Sequence, residues 1–129
     1  MTATPQPATP PTTTPRTTAP FRSAVVPAAG LGTRLLPTTK TVPKELLPVV
    51  DTPGIELVAA EAAEAGAEQL LIVTSPGKDA VAAHFADSSE LEKTLAARGK
   101  EKLVAKVRRA HELLAVRTVT QDEPLGLGH

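Results

Sequence analysis

An α/β fold on a mainly parallel sheet is the class this sequence predicts, and three observations predict it. Ser23-Ala24-Val25-Val26-Pro27 is a short apolar run with charge before it and Ala28-Ala29-Gly30-Leu31-Gly32 after it, as in a buried first strand feeding a glycine loop. Leu70-Leu71-Ile72-Val73 is apolar without alternation, the pattern of a strand covered on both faces. The order strand, loop, helix, strand, helix, helix, strand is the rhythm of a parallel sheet joined by helical crossovers.

Each element has its own local reason. Pro37, Pro43 and Pro48 punctuate residues 35–50, which predicts an extended, looping segment and no helix there. Thr52-Pro53 reads as an N-cap followed by proline at the first helical position. Ile55, Val58, Ala59, Ala62 and Ala65 then recur at helical spacing until Gly66 stops the run. Ser75-Pro76-Gly77 predicts a turn, and residues 79–85 a short amphipathic helix with Val81, His84 and Phe85 facing inward. Two further helices are expected over 90–97 and 100–111, parted by Gly99, and alternation over 114–120 predicts a last strand.

Composition bounds the rest. The chain has 129 residues, and the first 20 hold eight Thr, six Pro and three Ala beside Met1, Gln6 and Arg16. That stretch cannot bury enough apolar surface to offset its ordering entropy, so residues 1–20 are expected to be a disordered tail and 21–129 the folding part. Fourteen basic and fourteen acidic side chains cancel, so no overall field marks a nucleic-acid binder. Cysteine is absent, which excludes disulfides and thiolate chemistry. With no apolar run of membrane-spanning length and no apolar core of a secretory signal, a cytoplasmic location without membrane attachment is expected. Phe21 and Phe85 are the only aromatic residues of the Phe, Tyr and Trp types, so base stacking cannot dominate binding.

The stretch that carries chemistry is Ala28-Ala29-Gly30-Leu31-Gly32-Thr33-Arg34. Glycines two apart after a strand let the backbone approach a ligand and present successive N–H groups to it, and such a nest suits phosphate oxygens. Arg34 adds a planar cation two residues on. A dinucleotide-binding fingerprint would need a third glycine where Leu35 stands, and no Gly-Lys-Ser/Thr ending of a P-loop occurs. By itself a lone Gly-x-Gly is more often a tight turn after a strand than a ligand site. Its surroundings favour a polyanion: residues 21–50 hold Arg22, Arg34, Lys40 and Lys44 against one acid, Glu45. Lys40 is read as a solvated loop residue.

Residues 26–37 (VPAAGLGTRLLP) and 42–51 (VPKELLPVVD) together closely resemble the sugar-phosphate nucleotidyltransferases, in particular the bacterial branch that transfers a uridylyl group to glucose 1-phosphate. Gln121-Asp122-Glu123-Pro124-Leu125-Gly126-Leu127-Gly128-His129 is similar to the base-recognition segment of that branch, and Val73-Thr74-Ser75 and His84-Phe85 also fit. The resemblance runs from about residue 24 to 129. It implies a Rossmann-like three-layer fold cut after roughly three or four strands. It implies the reaction of UTP with glucose 1-phosphate to UDP-glucose and pyrophosphate, with Mg²⁺, in a family of homo-oligomers. By family pattern the backbone of Ala28, Ala29 and Gly30 meets the nucleoside. Gly32, Thr33 and Arg34 meet the triphosphate, Lys44 reaches phosphate, Glu45 supports that site, and Gln121 with Gly126 reads uracil. Arg34 and Lys44 are the expected catalytic pair.

The family's Mg²⁺ aspartate, its sugar-binding groups and its dimerisation elements come after the segment that ends at His129. Asp122 is not promoted to metal ligand, so no metal residue is assigned, and weak or no catalysis is expected of these 129 residues alone. A non-catalytic nucleotide-binding fragment or regulatory module is the alternative reading. A nucleic-acid helix bearing Lys102, Lys106 and Arg109 on one face is a third, weakened by Glu101 and Glu112 within the same charge run. His84 is expected to be a hydrogen-bonded core residue, and zinc is not expected at His111.

Overall fold

The computed structural model describes residues 21–123. Strand β1 (Ser23–Pro27) leads into three single 3₁₀ turns at Thr33–Leu35, Thr38–Lys40 and Lys44–Leu46. Two-residue strands β2 (Pro48–Val49) and β3 (Thr52–Pro53) form a small antiparallel hairpin. Helix α1 (Gly54–Glu64), strand β4 (Gln69–Thr74), helices α2 (Asp79–His84), α3 (Ser89–Ala97) and α4 (Glu101–Glu112) and strand β5 (Ala115–Thr120) follow. The main sheet has the order β1-β4-β5 and is parallel throughout. Val26 pairs with Ile72, and Ile72 with Thr118.

The main-sheet strands and the helices stand where the apolar patterns put them, to within a residue or two at the ends. Two local expectations change. The looping segment after the glycines contains the three 3₁₀ turns: prolines forbid a continuing α-helix but tolerate a single turn, whose fixed φ they help to set. Thr52-Pro53 does not open α1 as N-cap and first helical residue. Pro53 is extended (φ −58°, ψ 141°) and pairs with Pro48, so it is itself the cap and Gly54 begins the helix.

The core gathers on one side of the sheet. Leu70 and Ile72 of β4 are buried against Ile55 and Ala59 of α1, Val81 of α2, Phe85 and Ala110 of α4, with Ala24, Val26 and Val116 packed beside them. Successive strand residues alternate faces, so Val25 and Val119 lie on the other side, where they are 60% and 49% exposed. Among the described residues the helices therefore cover a single face, which corrects the expectation of a β4 covered on both: Leu70 and Ile72 are buried, while Leu71 and Val73 are only partly so. Val58, part of the apolar stripe of α1, is exposed, and Glu56 is buried in its place. No helix of the described residues is long and apolar enough to cross a membrane.

Candidate functional site

The loop after β1 sits at the carboxyl end of the parallel strands, where open α/β sheets place their ligands. It is held there by the Ala28 amide, which donates to the Val73 carbonyl at 2.6 Å, so Ala28 and Ala29 are both buried. Gly32 has φ +67°, a left-handed conformation that disfavours any side chain. The Thr39 hydroxyl donates to the Gly32 carbonyl at 2.6 Å, and a Cβ at Gly32 would stand 3.1 Å from Thr39 Cγ2. The 3₁₀ turn at Thr33–Leu35 follows at once, so Thr33 and Arg34 are presented on an exposed turn.

Lys44 folds back onto this loop. A Cβ added to Gly30 would lie 3.3 Å from Lys44 Nζ, so the absent side chain at Gly30 is what lets the ammonium approach the main chain. Among the described residues neither Arg34 nor Lys44 has an acidic partner. Lys44 stands beside the glycine-lined main chain and Arg34 on the turn that follows Gly32, both with their charge uncommitted, the condition for receiving an anion.

Glu45 points elsewhere. Its carboxylate accepts from Lys78 Nζ at 3.1 and 3.3 Å, and the same ammonium donates to the Ala28 carbonyl at 2.8 Å and the Gly30 carbonyl at 2.6 Å. The two side chains are 11% and 9% exposed, so this ion pair is largely withdrawn from water. Lys78 was not singled out from the sequence. It precedes α2 in a stretch that reads only as a turn, and its partners lie 33 to 50 residues away, so no local signal marked it.

At the other end of the described chain, the main-chain N–H of Gln121 donates to the Thr74 carbonyl at 2.6 Å. Gln121 is thereby fixed at the end of β4, whose neighbour β1 feeds the glycine loop, while Gly126 lies outside the described residues. The Thr74 hydroxyl is buried with no hydrogen-bond partner among the described residues. The structure thus gathers Ala28, Ala29, Gly30, Gly32, Thr33, Arg34, Lys44 and Glu45 in one loop region and sets Gln121 at the same strand ends. Among the described residues no group of three His, Asp or Glu side chains could hold a metal ion.

A pocket of about 570 Å³ lies elsewhere, between the start of α1, the end of α2 and the α3–α4 pair, and includes none of the residues above. Its polar wall is an ion-pair cluster. His84 Nε2 is 2.8 Å from the buried Glu56 carboxylate, Arg109 Nε is 3.4 Å from the same group, and Lys106 pairs with Asp51. His84 is hydrogen-bonded and partly buried, as expected of a core histidine. The lysine and arginine that line this pocket are paired with carboxylates, whereas those of the glycine loop have no acidic partner among the described residues.

The profile of the nucleotidyl transferase family matches residues 23–127. The chain is 51% identical over 108 residues to the UTP–glucose-1-phosphate uridylyltransferase of Bacillus subtilis, covering 84% of this chain and 37% of that protein. It is 46% identical over 108 residues to the enzyme of the same name from Staphylococcus haemolyticus, covering 84% and 38%. Among solved structures, the UTP-bound UGPase from Acinetobacter baumannii superposes with a TM-score of 0.78 at 46% identity, covering 84% of this chain and 38% of that one. The chain thus spans less than two fifths of the length of these relatives. With the family profile covering all of the described sheet and the strand-end loop, the chain belongs to the nucleotidyl transferase family.

Proposed function

We propose that this chain carries the nucleotide-binding part of an enzyme that transfers UMP from UTP to glucose 1-phosphate, giving UDP-glucose and pyrophosphate. The observation that carries the reading is the pair of uncommitted cations, Arg34 and Lys44, beside a main chain stripped of side chains at Gly30 and Gly32. The names of the relatives and of the UTP-bound neighbour supply the substrates.

The chemistry asks little of a general base. An oxygen of glucose 1-phosphate, already anionic, attacks the α-phosphorus of UTP, the bond to the β-phosphate breaks, and pyrophosphate leaves with the electron pair. Alignment and charge neutralisation then carry the rate. Arg34 would stabilise charge on the departing pyrophosphate, and Lys44 charge at the attacked phosphorus. The backbone of Ala28, Ala29 and Gly30 would border the nucleoside, with Gly32 and Thr33 beside the phosphates. Gln121, anchored at the end of β4, offers an amide whose acceptor and donor match the carbonyl and N–H of a uracil edge. Glu45 serves the site through Lys78 and not by touching the nucleotide. Mg²⁺ would arrive with the triphosphate, since this ion is commonly held by phosphate oxygens with one or two carboxylates.

Calorimetric titration with UTP, with and without Mg²⁺, followed by a pyrophosphate-release assay with glucose 1-phosphate, tests the reading. Saturable UTP binding is expected. Binding without release would support a non-catalytic nucleotide-binding module, and no binding would overturn both.

A further inference from the structure

We propose that Lys78 is a positioning residue of this site: its ammonium sets the two peptide planes of the loop so that the amides of Ala29 and Leu31 become the ligand-facing donors. The inference rests on the nucleotide reading above and adds a residue and a direction to it.

The geometry follows from peptide planarity. In a trans peptide the carbonyl of one residue and the N–H of the next point in opposite directions. Lys78 Nζ takes the carbonyls of Ala28 and Gly30, at 2.8 and 2.6 Å, so both of these oxygens face the same ammonium. The N–H groups of Ala29 and Leu31 must then point away from Lys78, side by side on the opposite face of the loop. Neither has an acceptor among the described residues, although Ala29 itself is buried. Main-chain donors in buried residues are nearly always paired, so the Ala29 amide is held ready for an acceptor from outside the chain, with the amide of the exposed Leu31 beside it. Without Lys78, either peptide could turn its carbonyl oxygen toward the ligand, and an oxygen there would repel phosphate or a base carbonyl.

Glu45 completes the device. An ammonium with only two carbonyl partners would be a costly buried charge, and the carboxylate neutralises it. The pair contributes no net charge, so the attraction for a polyanion is left to Arg34 and Lys44. Lys44 and Lys78 are therefore not interchangeable: one is exposed and carries no acidic partner among the described residues, the other is largely withdrawn from water and structures the loop.

Nuclear magnetic resonance on the full 129-residue chain separates the claims. In the native chain, UTP should move the Ala29 and Leu31 amide resonances more than those of Gly32, Thr33 or Arg34. In Lys78→Met the carbonyl resonances of Ala28 and Gly30 should shift, the β4 resonances should stay, and the UTP dissociation constant should rise roughly tenfold or more. Glu45→Gln, which keeps the ammonium, should retain the native carbonyl shifts. Should Lys78→Met fail to fold, scalar couplings across the hydrogen bonds from Lys78 Nζ to the two carbonyl carbons, read in the native chain, decide the clamp. Their absence, or unchanged carbonyl shifts in the variant, overturns the clamp whatever UTP does. A native clamp with no response of any loop amide to UTP overturns the nucleotide reading and the ligand-facing role with it, while leaving the Lys78 contacts standing. Native UTP affinity in Lys78→Met overturns the positioning role alone.

Discussion

The glycine loop and helix α4 are both rich in cations, and they use them in opposite ways. On α4, Lys106 faces Asp51, Arg108 faces Glu92 and Arg109 faces Glu56, so every one of these charges is answered within the chain. At the loop, Arg34 and Lys44 are unanswered, and the acid that could have neutralised Lys44, its neighbour Glu45, is drawn off by the buried Lys78. A binding site for a polyanion needs positive charge that folding has not already consumed. On the proposed reading the ligand belongs to the loop, and α4 is a solvated surface on which, among the described residues, only Lys102 of the lysines and arginines lacks an acidic partner.

Several substitutions break or sharpen that contrast. The largest effect is expected for Glu45→Ala. It strands the buried Lys78 ammonium, and removing one partner of a buried pair costs about 3–5 kcal/mol, whereas Asp51→Ala on the exposed Lys106 pair should cost no more than about 1 kcal/mol. Denaturant midpoints of the two variants check this, and equal losses would erase the distinction between the regions.

A smaller difference is expected between two glycines of positive φ. Gly77→Ala meets no atom within 4 Å and should cost only the left-handed penalty, about 1–2 kcal/mol. Gly32→Ala has that penalty and a 3.1 Å contact with Thr39, so it should lose more, with part recovered when Thr39→Ala is added. Thermal melting of the three variants is the measurement. Identical losses for the two single variants would mean that the loop is not closely packed.

The smallest effect concerns acid. The Ser88 hydroxyl and then Arg108 hold the Glu92 carboxyl below its ordinary value of 4.5, and hydrogen bonds from Lys106 and then Thr52 hold Asp51 below 3.8. Both folded-state values are depressed, so the stability they contribute is present above the unfolded values and is lost as pH falls through the folded ones. Melting temperature should decline on going from about pH 5 to about pH 3, modestly because Asp51 is exposed and the partners of both carboxylates reach solvent, and the decline should be shallower in Glu92→Gln.

What could be read before folding follows a physical line. Strands β1, β4 and β5 and the four helices announce themselves through apolar runs and spacing, because each buries a face defined by its own local geometry. The glycine loop was legible for the same reason: Gly30 and Gly32 are needed where they stand for local contact and conformation. Lys78, Glu56 and the short β2–β3 hairpin were not. Lys78 and Glu56 look like surface residues until the fold brings Ala28, Gly30 and Glu45 to one, and His84 and Arg109 to the other. The hairpin has two residues per strand, too few to show alternation. Charge at loop residues was visible as a local excess, but which charges remain free depends on pairings across 33 residues or more.

The most direct measurement compares UTP affinity in two double variants of the chain. Arg34→Ala with Lys44→Ala should weaken binding by about 3 kcal/mol or more, two hydrogen-bonding charges at about 1.5 kcal/mol each or above, while Lys106→Ala with Arg108→Ala leaves it unchanged. If the α4 pair proved to govern UTP affinity and the loop pair did not, the assignment of the ligand to the glycine loop would be wrong.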